Sequence, residues 1–363
     1  MGRANTVTLA VICTLLAALP ATSAEQKRKS PPLAAKRTSG HPDRATLTQP
    51  PPVANLKDRV AWAANEASRL RAALAASPRD TRTGMFLAAL AVVVATDLER
   101  ALAIGDIATA TALRGLIERS LPDTRWSLDL IARHGAGGGD FALAVMALHG
   151  ILEPRNIGKA CSLLSSAWGK GFGESAYRLS GCVGGSDPTR EALLLRVAAD
   201  AGNPAAGETL GRRCLESTPQ DPQCAFARVS AAAASGRPSA KSLLGWMHAQ
   251  GVGVGVDPLR AQALYLEAAS AGDLSAKNNL GELYETGRGV AIDRTRAAGY
   301  YREAAEAGFA PAQFNLGRLY AAGAGVPKDA DQARKWLRSA RQGGIQPAQK
   351  ILDWLDTQFE RPR

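Results

Sequence analysis

The sequence predicts an all-α fold: a solenoid of stacked helix-turn-helix repeats preceded by an N-terminal helical extension. Three observations carry this. Residues 240–347 write one pattern three times with a period of 36: Ala-Lys-Ser-Leu-Leu-Gly from Ala240, Ala-Lys-Asn-Asn-Leu-Gly from Ala276 and Ala-Gln-Phe-Asn-Leu-Gly from Ala312. A fixed period of this size marks units that bury their apolar faces only by stacking on neighbours. Within each copy the apolar residues recur at helical spacing, and a pair of glycines divides the copy in two. Aromatic residues form only 5% of the chain while glycine numbers 36. That composition suits close helix–helix approach better than a bulky globular core.

The middle copy shows the unit. Ala276, Leu280, Leu283 and Tyr284 share one helical face. Gly287-Arg288-Gly289 stops the first helix, and Asp293 offers a carboxylate to the open N–H groups of the second. Ala297, Tyr300, Tyr301, Ala304 and Ala305 supply that helix's buried face, and Gly308 ends it. Gly281 is expected where the two helices cross, with Gly245 and Gly317 as its counterparts; Asp257 and Asp329 repeat the capping Asp293.

In chain order, residues 1–24 read as a signal peptide. Arg3 precedes an apolar run from Val7 to Leu19, and Thr22-Ser23-Ala24 resembles a cleavage site. The run is too short to span a bilayer, so no membrane-spanning segment is expected after processing. Residues 25–54 are basic and proline-rich and read as a disordered tether, able to touch an anionic envelope polymer. Residues 55–120 form the helical extension: a stripe of Leu56, Val60, Ala63, Ala67, Leu70 and Leu74, then a helix from about Thr83 to Ile104, then one capped by Asp106. Its apolar section, Met85 to Ala95, reads as a buried helix. Residues 121–239 hold degenerate repeats, traced by capping residues Asp221, Asp187, Asn156 and Ser120, each followed 15 positions later by a glycine. Residues 348–363 read as a capping helix and tail.

The pattern Leu-Gly-x-x-Tyr, Gly-x-Gly-Val, Asp and a second helix with paired alanines before Gly resembles the Sel1-like repeat, a relative of the tetratricopeptide repeat. The resemblance implies a right-handed α-solenoid that acts as a protein-interaction scaffold, often in the bacterial cell envelope. It carries no catalytic residue with it. The expected partner is thus a protein or peptide of the envelope. A regulator or assembly factor for envelope polysaccharide synthesis, or for a sensor kinase, is the alternative. Some family members are linked with β-lactam binding and hydrolysis, but no Ser-x-x-Lys tetrad exists here. No enzyme activity and no cofactor are expected.

Other chemistry is equally sparse. The net charge of +11 suggests an anionic neighbour, yet no basic-aromatic pattern of a nucleic-acid module appears, and no nucleic acid is expected. No two cysteines have zinc-knuckle spacing, so no metal is expected. Of the four cysteines beyond the signal, Cys214 and Cys224 would clamp one hairpin. Cys161 and Cys182 are read as lying on different faces of adjacent repeats. Binding is expected on the first helices of the repeats, at positions that vary between copies: Trp246, Glu282 and Arg318 at the seventh position and Glu285 at the tenth, all facing solvent.

Overall fold

The protein is described from a computed structural model covering residues 50–51, 55–76, 81–120 and 137–359. The expected signal peptide, most of the tether, the helix expected after Ser120 and the extreme C-terminus lie outside these residues. Among the described residues all regular structure is helical, and the chain divides into two compact units between Ala201 and Gly202.

The first unit is built around one apolar helix. Helices α1 (Leu56–Ala76), α2 (Thr81–Ile104) and α3 (Ile107–Ser120) form the extension. Every residue of α2 from Phe86 to Leu98 is buried, with α1, α3 and α4 (Gly137–His149) packed around it. Enclosure on so many sides is why the segment is apolar nearly all round. No helix among the described residues is long and apolar enough to cross a membrane. Asp106 caps α3 as expected, accepting from the Thr109 N–H at 3.0 Å.

A buried ion pair joins α1 to α2. The Arg59 guanidinium donates to Asp97 at 2.7 Å, and the two side chains are 1% and 3% exposed. A second Arg59 nitrogen reaches the Pro51 carbonyl at 2.7 Å, which fixes the approach of the chain to α1.

Two hairpins complete this unit: α4 with α5 (Ile157–Gly169), and α6 (Ala176–Val183), entered through a 3-10 turn at Gly173–Ser175, with α7 (Pro188–Asp200). Asn156 and Asp187 cap the second helices by accepting from Lys159 and Arg190 N–H groups. Here one expectation is corrected. Cys161 and Cys182 are joined by a disulfide, with Cα atoms 5.7 Å apart. Neighbouring helices run antiparallel, so the start of α5 lies beside the end of α6. The face on which each cysteine stands mattered less than the meeting of the two helix ends.

The second unit is regular. Its hairpins are α8 (Pro204–Glu216) with α9 (Pro222–Ala234), α10 (Pro238–Gln250) with α11 (Pro258–Ser270), α12 (Leu274–Thr286) with α13 (Arg294–Glu306), and α14 (Ala310–Ala322) with α15 (Ala330–Gln342). Helix α16 (Ala348–Phe359) closes the stack with Leu352 and Leu355 buried on Leu337 and Ala340. The first helix of each repeat begins two residues before the Ala that opens the sequence pattern. Asp221, Asp257, Asp293 and Asp329 all cap their helices through the carboxylate.

Glycine sets the spacing within and between hairpins. A Cβ on Gly281 would lie 2.6 Å from the Tyr301 ring, one on Gly245 2.8 Å from Tyr265 and one on Gly317 2.8 Å from Leu337. These are the crossings expected from the sequence, and the aromatic or leucine fills the space glycine leaves. The second loop glycine does something else. A Cβ on Gly253 would stand 2.1 Å from the Pro222 carbonyl oxygen, and one on Gly325 2.2 Å from that of Arg294. Each loop therefore rests on the first turn of the preceding repeat's second helix.

The α8–α9 loop is shorter and lacks that glycine pair. A disulfide between Cys214 and Cys224 ties its two helices instead, with Cα atoms 6.0 Å apart. Closing the loops of the two disulfides is expected to stabilise the chain by roughly 3 kcal/mol each on chain-entropy grounds. Peptide mapping without reductant should recover both linked pairs. Urea denaturation with and without reductant should differ by several kcal/mol, and coincident curves would refute the contribution.

Candidate functional site: the first-helix face of the second unit

The first helices of the repeats, α8, α10, α12 and α14, form one face. Helix α10 touches α12, and α14 touches α16. Side chains also link them: Asn315 donates to Asn278 at 3.0 Å between α14 and α12. The seventh positions present Arg212, Trp246, Glu282 and Arg318 in order. Arg212 was missed in the sequence because the α8–α9 repeat is two residues shorter and falls out of the period.

Helical spacing decides what each residue does. In α10, Ala240, Leu244 and Met247 are buried, so Trp246 stands on the flank between the buried stripe and solvent. Its relative exposure is 37%. Glu282 is exposed on α12, and the Arg318 side chain is 41% exposed.

Glu285 departs from expectation. Rather than facing solvent, its side chain is only 14% exposed. It accepts from Arg318 Nη2 at 2.7 and 2.6 Å and from the Tyr301 hydroxyl at 3.0 Å. Helix position alone would leave Glu285 outward; the next repeat brings an arginine over it. Glu285 thus positions Arg318 and is not itself a free contact. Burial, followed by the nearby carboxylate charges of Glu285 and Glu282, raises the Tyr301 and Tyr265 phenols above their ordinary range. Both remain neutral at physiological pH, and Tyr301 donates to Glu285.

A second carboxylate organises the other end of the face. Glu208 on α8 is 6% exposed. It accepts from Arg212 Nη2 at 3.0 Å and the Ser239 hydroxyl at 2.7 Å, and it also holds Arg237. Burial pushes the Glu208 carboxyl up, but the hydrogen bonds of Ser239 and Arg237 and the arginine charges outweigh this and hold it below the usual range. The Arg212 guanidinium is therefore tethered through Nε and Nη2 while its side chain stays 51% exposed. The face combines a stacking surface, a carboxylate and two steadied guanidiniums, which is recognition chemistry. Exposed Trp and Arg are enriched among binding anchors.

Repeated helical hairpins, capped at their second helices and stacked through loop glycines, define an α-solenoid. The Sel1 repeat family model matches residues 139–167, 238–273, 274–309 and 310–345, so these stretches carry Sel1 repeats. The α6–α7 and α8–α9 hairpins, which depart most from the pattern, fall between the matches. A Sel1 repeat protein from Oxalobacter formigenes is similar at 25% identity, over 83% of this chain and 89% of that one, with a TM-score of 0.51. A protective antigen of uropathogenic Escherichia coli with the same repeat fold is 21% identical, over 85% of this chain and 69% of that one, with a TM-score of 0.62. No curated protein matches the sequence. Sel1-repeat proteins are generally non-catalytic scaffolds, and the fold is one suited to protein–protein interaction.

Proposed function

We propose that this protein is an exported scaffold that binds a protein or peptide of the cell envelope through the first-helix face of its second unit. The observation that carries the reading is the exposed Trp246 indole, set among Arg212, Glu282 and Arg318, where neighbouring repeats carry charge. Two disulfides support an oxidising compartment, as does the signal-like layout of residues 1–24. The basic segment 25–54 would add contact with an anionic envelope polymer.

Trp246→Ala tests the face. Thermal stability should change by no more than about 0.5 kcal/mol, as for surface sites, while partner binding weakens by about 2 kcal/mol or more. The partner is sought by pull-down from envelope extracts with the wild-type protein and the variant side by side. A polysaccharide synthase or a sensor kinase retained only by wild type would make the scaffold a regulator of that enzyme. If Trp246→Ala unfolds the second unit, or retains the same partners as wild type, the face loses its anchor.

A further inference from the structure

One cleft away from the first-helix face has a chemistry of its own. It lies between α15 and α16, has a volume of about 590 Å³, and is lined by Arg338, Arg341, Gln342, Gln349, Leu352 and Asp356. That volume is within the ordinary range of small-ligand sites, about 300–1,000 Å³. The sequence of α15 explains its charge. Ala333, Leu337 and Ala340 are turned into the core, and residues three and four apart on a helix share a side. Arg338 and Arg341 consequently share the flank beside α16. Asp356 is already engaged by Arg334 at 3.0 Å. Arg338 and Arg341, both exposed, have no hydrogen-bond or ion-pair partner among the described residues.

A cation in the last turn of a helix offsets the partial negative charge of its terminal carbonyls. That accounts for Arg341 but not for a second arginine one turn earlier, aimed at the same cleft. We propose that this cleft binds the C-terminal carboxylate of a peptide. Guanidinium forks match a carboxylate in two parallel hydrogen bonds. The lining carries two positive charges and one negative, which suits a monoanion, whereas a phosphate dianion would meet greater repulsion from Asp356. Leu352, 5% exposed, forms the apolar floor of the cleft. The exposed Gln342 amide flanks it for the peptide backbone. Gln349 is held in the wall by donation to Asp353 at 2.6 Å, with its carbonyl oxygen buried.

The site is separate from the Trp246 face, so either reading can fail without the other. The test is calorimetric titration of the full chain with acetyl-Gly-Ala-Leu as free acid, the same peptide as C-terminal amide, and inorganic phosphate. The free acid should bind, with the amide at least about tenfold weaker, as expected on losing a charge-assisted contact. The double variant Arg338→Gln, Arg341→Gln should fall to the amide's level and keep the wild-type melting temperature. Should that variant fold poorly, Arg341→Gln alone must still weaken the acid severalfold. Equal binding of acid and amide, no binding of the acid at millimolar concentration, phosphate binding as tight as the acid, or wild-type affinity in the variants would each overturn the proposal.

Discussion

Gly325→Val should destabilise the second unit by about 3 kcal/mol or more, the larger of two effects that separate its causes. Gly325 has φ +72°, a left-handed conformation that costs an L side chain roughly 1–2 kcal/mol. Its Cβ would also stand 2.2 Å from the Arg294 carbonyl oxygen and 2.3 Å from the carbonyl carbon. Backbone cannot swing aside as a long side chain can, so the loop must lift off α13. Overpacking of this kind adds roughly 1–3 kcal/mol. Gly308 is the control, with φ +89° but nothing within 4 Å of its would-be Cβ. Gly308→Ala should lose only the conformational part. Urea denaturation of the two variants beside wild type measures the difference. Equal losses would mean that the loop contact contributes nothing to stacking.

Asp97→Ala is expected to cost about 3–5 kcal/mol, the range for stripping one partner from a buried ion pair. The loss comes mainly from what remains. Arg59 would keep its place at 1% exposure with the Pro51 carbonyl for company but no counter-charge. Its Nη2 already makes no hydrogen bond. Replacing both residues, Arg59→Met with Asp97→Leu, should recover most of the loss, because well-packed apolar side chains need no partner. Denaturation of single and double variants measures this. A single-variant loss below about 1 kcal/mol would show that water reaches the pair.

What could be read from the sequence, and what could not, follows the range of the contacts. Capping by Asp257, Asp293 and Asp329 spans three residues or fewer, and the crossing glycines recur with the period. Both are local or repeated, and both stand in the structure where the sequence puts them. Cys161 with Cys182, Arg59 with Asp97, and Glu285 with Arg318 are pairs made between helices. A helical wheel reports the side of its own helix, not what the next helix lays over that side. Glu285 shows the consequence: its position is correct, and its surroundings are supplied by a residue 33 places further on. The Arg338–Arg341 cleft escaped notice for the same reason, since α16 closes it from outside the repeat.

The loop contact also gives the array a direction. Gly253 belongs to one repeat, but the Pro222 turn on which it rests belongs to the repeat before, and Gly289 meets Pro258 in the same sense. The α10–α11 and α12–α13 hairpins each carry a latch toward the N-terminal neighbour and a seat for the C-terminal one. A block such as residues 274–309 therefore arrives with both halves of the joint. Copied in tandem, it would mate with itself and with both flanks without any new surface having to evolve. Growth by whole periods is favoured by the geometry, whereas a partial insertion would leave a latch without its seat.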